Sequence, residues 1–188
     1  MKHGIILVFA SIIVLLFVST GFCRMQNIVY NGGFEKQQTD AIADGWHTKT
    51  FREARVELTI DHETTHSGSS AFKASFKKAG RAMLYPDRDI TSIQPGKTYE
   101  VSLWVKARNL DYSPNFSPPN LRYNFDPTRI RPYPIIDFMT EMKGVKGWKK
   151  LSLTSKAPPD AEALSFNIML TAGTIWLDDI SITEVSAQ

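Results

Sequence analysis

The chain has 188 residues, with 22 Lys and Arg against 19 Asp and Glu, a net charge of +3 and one cysteine. Its small charge excess, spread over mixed positions, argues against a nucleic-acid binder, which needs a concentrated basic patch. Beyond Cys23 no cysteine remains for a disulfide or a thiolate metal site, and the length suits one sizeable core rather than two.

Lys2 and His3 precede the apolar run from Ile5 to Val18, and small residues Ser19, Thr20 and Gly21 follow. This is the pattern of a secretory signal peptide over residues 1–23, cleaved after Gly21 or Cys23. An uncleaved membrane anchor is the alternative, since the run nearly reaches spanning length. Phe22 is too bulky ahead of Cys23 for a lipoprotein signal. Residues 24–188 then form a single exported domain, secreted, periplasmic or at the cell surface, touching membrane only if the N-terminal segment is kept.

From Asn27 onward the apolar spacing has period 2. Asn27-Ile-Val-Tyr-Asn-Gly-Gly-Phe-Glu35 is a short strand-prone run halted by two glycines. Phe72, Ala74 and Phe76 alternate with Lys73, Ser75 and Lys77; Tyr99, Val101, Leu103 and Val105 alternate with Glu100, Ser102, Trp104 and Lys106. Leu164, Phe166, Ile168 and Leu170 alternate with Ser165, Asn167, Met169 and Thr171, and Trp176-Leu-Asp-Asp-Ile-Ser-Ile182 forms a last strand. Such alternation marks strands with one buried and one wet face. Turn signals at His66-Ser-Gly-Ser69, Gln94-Pro-Gly-Lys97, Ala157-Pro-Pro-Asp160 and Ala172-Gly173 separate them. The predicted fold is all-β, a β-sandwich or jelly roll of two antiparallel sheets. Residues 109–134, rich in proline, arginine and aromatics, read as one long ordered loop, because prolines disfavour a central strand there.

Strands from opposite ends of a sandwich often lie side by side, which would bring Glu35 to Asp178 and Asp179, acidic oxygens of the kind Ca²⁺ takes. The same three residues also read as ordinary surface carboxylates. His62-Glu-Thr-Thr-His66 spells a zinc-protease motif, but that chemistry needs both histidines on one helix face. Here Ser67-Gly-Ser69 and the strand beyond place the motif in a turn. Paired carboxylates such as Asp137 and Glu141, or Asp87 and Asp89, would be needed for a glycosidase or lyase. Acidic pairs of this kind are common on surfaces. No other catalytic grouping is present, and the chain reads as a non-catalytic binder.

Asn31-Gly-Gly-Phe-Glu35, Gly45-Trp46, His66-Ser-Gly-Ser69, the run Pro95 to Lys106, Gly147-Trp148 and Leu177-Asp-Asp-Ile-Ser-Ile182 occur in an order that resembles the family 4, 9 and 22 carbohydrate-binding modules, which are galactose-binding-like jelly rolls. The resemblance covers roughly residues 27–183. It implies a structural Ca²⁺ near the two chain ends, with carboxylates from Glu35 and Asp178 and a carbonyl from Gly33. It also implies a polysaccharide or glycan as ligand. Sugar sites combine aromatic platforms with polar groups. Trp104, outward by parity, and Tyr85 are candidate platforms, with Tyr112, Phe116, Tyr123, Phe125 and Tyr133 in the long loop. Arg122, Arg129 and Arg131 are candidate donors. Mutual packing of the loop aromatics, and burial of Trp104 beneath that loop, are the structural alternatives. The competing functional reading is a cell-envelope assembly or adhesion domain that uses the same sandwich to bind protein.

Overall fold

A computed structural model describes residues 26–40, 42–51, 53–110, 115–128 and 130–185. The expected leader over residues 1–23 and the candidates Tyr112 and Arg129 lie outside the described residues. The chain folds as the predicted sandwich. One sheet contains β4 (Arg55–Asp61), β5 (Ala71–Lys78), β7 (Thr98–Arg108), β10 (Lys149–Lys156) and β12 (Thr174–Val185), in the order β10-β7-β12-β5-β4. The other contains β3 (Trp46–Thr50), β6 (Ala82–Pro86), β8 (Asn120–Asp126), β9 (Ile135–Asp137) and β11 (Ala163–Leu170), in the order β3-β6-β11-β8-β9. All pairings are antiparallel. A small ribbon of β1 (Gln37–Thr39) and β2 (Ile42–Ala43) and one helical turn, α1 (Phe138–Glu141), complete the described elements.

The period-2 pattern sorts the residues as read. Tyr99, Val101, Leu103 and Val105 on β7 face Leu164, Phe166, Ile168 and Leu170 on β11 in one continuous core. Phe34, Trp46, Phe72 and Phe166 form its aromatic centre, with ring centroids 5.2–5.9 Å apart along the chain of contacts. Trp46 also satisfies its indole N–H on the Asn31 carbonyl at 3.0 Å, as a buried Trp requires.

One expectation needs correction. The stretch 109–134 is not a single loop, because β8 runs through it and pairs with both β11 and β9. The prolines bracket the strand: Pro118 and Pro119 precede it and Pro127 follows. No ladder amide is therefore lost. Leu121, Tyr123 and Phe125 fill the core from one side of β8, a three-residue alternation that the surrounding prolines obscured.

The chain ends do lie together. The Ile28 amide donates to the Ile182 carbonyl at 3.0 Å and the Ile180 amide to Gly32 at 2.9 Å. The Asn27 side chain bridges the same edge, donating to the Ile180 carbonyl and accepting from the Ile182 amide, each at 3.0 Å.

Candidate functional site

The first cluster sits where these ends meet. The Glu35 carboxylate accepts from the Ser69 amide and hydroxyl at 3.0 and 2.7 Å and from the Ser70 amide at 3.2 Å. Gly68, at φ +57°, carries no side chain because a Cβ there would fall 2.1 Å from Glu35 Oε1. Asp178 is fully buried and accepts from the His66 and Ser67 amides at 2.8 and 3.2 Å and from the Asp179 amide at 2.7 Å. Burial pushes the Asp178 carboxyl up to about 6, the neighbouring Asp179 charge adds to the rise, and the His66, Ser67 and Asp179 amides oppose it.

The two aspartates do not point to opposite faces as regular alternation predicts. A bulge between Asp178 and Ser181 sets one extra residue of β12 against β7, and Asp179 takes φ +45°. Asp179 consequently reaches the same turn as Asp178, bonding His66 Nδ1 at 2.6 Å and Ser67 Oγ at 2.8 Å.

Glu35 and Asp178 suit a hard cation. A carboxylate offers about four lone-pair directions, and each of these two uses three, leaving one apiece. Gly33 lies against both: a Cβ there would stand 3.5 Å from Asp179 Oδ1, 3.7 Å from Asp178 Oδ1 and 3.9 Å from Glu35 Cγ, all ordinary contact distances. Among the described residues no three His, Cys, Asp or Glu side chains gather as a metal cluster. A cation here would therefore rest on two carboxylates and main-chain carbonyls, in keeping with calcium chemistry.

Trp104 lies beside this cluster, opposite Asp178 in the β7–β12 register. Its indole is stacked face to face with the His66 ring, centroids 3.6 Å apart, and Trp148 meets His66 edge-on at 5.8 Å. The side chain stacked on Trp104 thus comes from the turn after β4. The same turn holds His62, whose Nδ1 lies 2.9 Å from the Ser69 carbonyl. His62 and His66 share no helix, and the zinc-protease geometry is not formed.

The second cluster lies on the outward face of the other sheet. His47 pairs with Tyr85, Asn167 with Arg122, and Arg122 with Ile135. Tyr85 and Asn167 each stand one residue beyond the Leu84–Ile168 pair. The result is one transverse row, His47, Tyr85, Asn167, Arg122, Ile135, crossing all five strands. Beside it a cleft of about 250 Å³ is lined by Arg122, Tyr123, Asn124, Tyr133, Ser165 and Asn167. Asn124 Oδ1 accepts from the Ile130 amide at 2.8 Å and so ties down the loop that carries Tyr133. The Arg131 guanidinium sits 3.9 Å over the Tyr133 ring. Among the described residues three buried side-chain atoms have no hydrogen-bond partner, namely Arg122 Nε, Asn167 Oδ1 and Asn120 Oδ1. All three belong to this face.

The expected ligand residues therefore separate. Tyr85 and Arg122 share the outward face of the second sheet, whereas Trp104 is on the first. Tyr123 points inward, 2% exposed, with its hydroxyl 2.7 Å from Ser155 Oγ, and burial pushes its phenol up. It is a core residue, not a platform, since odd positions of β8 face the core. Phe125 is likewise fully buried. Phe116 is half-buried ahead of β8. Asn124, Ser165 and Asn167 were not singled out from the sequence, although the wet phase of the Leu164–Leu170 alternation contains two of them.

A family model described as a carbohydrate binding domain, for modules of types 4 and 9, matches residues 26–174. Among solved structures, a family 16 carbohydrate-binding module is 16% identical with a TM-score of 0.57, over 84% of this chain and 100% of that one. A family 61 module in complex with β-1,4-galactotriose is 13% identical with a TM-score of 0.56, over 85% and 99%. The enzymatically active domain of bacteriophage CBA120 tailspike protein 4 is 16% identical with a TM-score of 0.55, over 85% of this chain, which spans only 21% of the tailspike's length. No curated protein sequence matches the chain.

Proposed function

This chain belongs to the carbohydrate-binding domain family, and from that premise we propose that it is an exported module that holds a polysaccharide or glycan without transforming it. The ligand lies across the outward face of the β3-β6-β11-β8-β9 sheet. The observation that supports this placement is the group of unpartnered buried polar atoms there, on Arg122, Asn167 and Asn120. A buried donor or acceptor with no partner costs about 1–3 kcal/mol, and sugar hydroxyls, which both donate and accept, are suited to pair with them. Tyr85 and Tyr133 supply the amphipathic rings that sugar C–H faces pack on.

We further propose a structural Ca²⁺ held by Glu35, Asp178 and the Gly33 carbonyl. When bound it would add ionic ties between the two ends of the chain. It has no part in ligand contact, because the sugar face belongs to the opposite sheet.

Affinity electrophoresis against a panel of soluble polysaccharides tests the sugar reading. Retardation by at least one polysaccharide is expected, with Asn167→Ala weakening it about tenfold, on the order of one lost hydrogen bond of about 1.4 kcal/mol. Trp104→Ala should leave retardation unchanged. Failure to bind any polysaccharide, with capture of a cell-envelope protein instead, would favour an assembly role; loss of binding in Trp104→Ala but not Asn167→Ala would move the site to the first sheet.

A further inference from the structure

Resting on the reading above, we infer that the ligand is an acidic glycan, and that Arg122 selects it by receiving a uronate carboxylate. The immediate cross-strand and same-strand neighbours of Arg122 on this face are neutral: Asn167 stands opposite on β11, Ile135 opposite on β9, and Asn120 and Asn124 two residues away on its own strand. None of the ion pairs among the described residues involves it. The nearest carboxylates on this face have other partners. Asp137 accepts from the Met139 and Thr140 amides at the start of α1, and Asp126 accepts from Ser165 Oγ at 2.9 Å. The guanidinium is half-buried, and its Nε is cut off from solvent without an acceptor.

A partly desolvated guanidinium with no counter-ion gains from an arriving anion. Two features specify that anion. The guanidinium is a planar fork that matches a carboxylate through two parallel N–H···O bonds. The unpartnered Asn167 Oδ1 beside it is an acceptor, which repels a bare anion but takes a proton from a hydroxyl. Carboxylate and hydroxyl at neighbouring positions describe a uronic acid residue. The setting agrees: Arg131 lies over Tyr133 at the rim of the same cleft, and Lys49 stands exposed on the wet side of β3. No tryptophan lies on this face. A neutral glycan can accept from Arg122 through its hydroxyls but brings no charge to balance the guanidinium.

The test compares polygalacturonate with the same polymer fully methyl-esterified, and with a neutral xylan, by isothermal titration of the full chain at 0.15 M salt. Binding to polygalacturonate is expected to be tenfold or more tighter than to the ester or the xylan. Arg122→Gln and Arg122→Lys should each remove that preference, the second because an ammonium keeps the charge but not the fork. Lys77→Gln, which deletes a charge from the first sheet, should behave as the parent; if it weakens binding as much as Arg122→Gln does, general charge attraction explains the result and the inference fails. Equal affinity for ester and acid, or preference for xylan, overturns the acidic ligand while leaving the carbohydrate reading intact. Binding to none of the three and to no other polysaccharide overturns both. The comparison of acid with ester uses the unaltered chain and holds whether or not the variants fold.

Discussion

At the scale of single residues, Asp61 shows how a carboxylate can serve structure alone. Its side chain is 9% exposed and lies 3.1 Å from the Lys73 ammonium, while the Trp176 indole N–H donates to it at 2.9 Å. The amides of Glu63 and Thr64 donate to its other oxygen at 2.8 and 3.0 Å. Burial pushes the Asp61 carboxyl up, but the bonds from Trp176, Thr64, Glu63 and Lys73 together outweigh it and hold the group well below the usual carboxylate range. A depressed folded value means that the stabilisation is fully present above the unfolded value of about 3.9 and is lost as pH falls through the folded one. Urea denaturation should therefore show stability declining as pH drops below about 4. Asp61→Asn should reduce that decline and lower stability at neutral pH by about 1–2 kcal/mol. An unchanged acid limb in the variant would assign the decline to other carboxylates.

At the scale of elements, the join between the N-terminal segment and β12 is closer than ordinary strand pairing. A Cβ at Gly32 would lie 2.0 Å from the Ile180 carbonyl oxygen, a backbone atom that cannot swing aside. Gly32→Ala should cost about 3 kcal/mol in urea unfolding. Gly147→Ala, whose Cβ would meet nothing within 4 Å, should be near neutral. Equal effects would mean that the N-terminal segment yields easily.

The same join explains what the sequence could reveal. Alternation in β5, β7 and β11 was legible because each strand has one face in the core, and hydrophobic burial writes period 2 directly into such strands. The meeting of Glu35 with the Asp178 region was legible from Asn-Gly-Gly-Phe and the paired aspartates. Three things were not. β8 was hidden because proline signals dominate a window that contains only seven strand residues. The direction of Asp179 depends on a bulge, and a bulge breaks the parity on which side-chain direction is inferred. The grouping of Tyr85, Arg122 and Asn167 depends on strand order: β6, β11 and β8 are neighbours in space but far apart in sequence. Trp104 attracted notice as an outward tryptophan, yet parity alone does not say which sheet a strand joins or what turn folds over it.

At the scale of the whole molecule, the two sheets divide the labour. The outward side of the first sheet carries the carboxylate cluster and the Trp104–His66–Trp148 stack; that of the second carries the polar cleft. Work on one should leave the other intact. If calcium occupies the Glu35–Asp178 cluster, EDTA should lower the melting temperature of the chain and excess Ca²⁺ restore it, by mass action on the folded state. Polysaccharide affinity measured well below that melt should not change. A melt indifferent to both additions would remove calcium from the account, with the cleft unaffected.

The antiparallel sense of the terminal join has a mechanical consequence. Residue 28 bonds to 182 and residue 32 to 180, so residues 26 and 185 leave the sandwich at the same corner. Tension applied between those two points would load the bonds one after another, as in opening a zip, rather than all at once in shear.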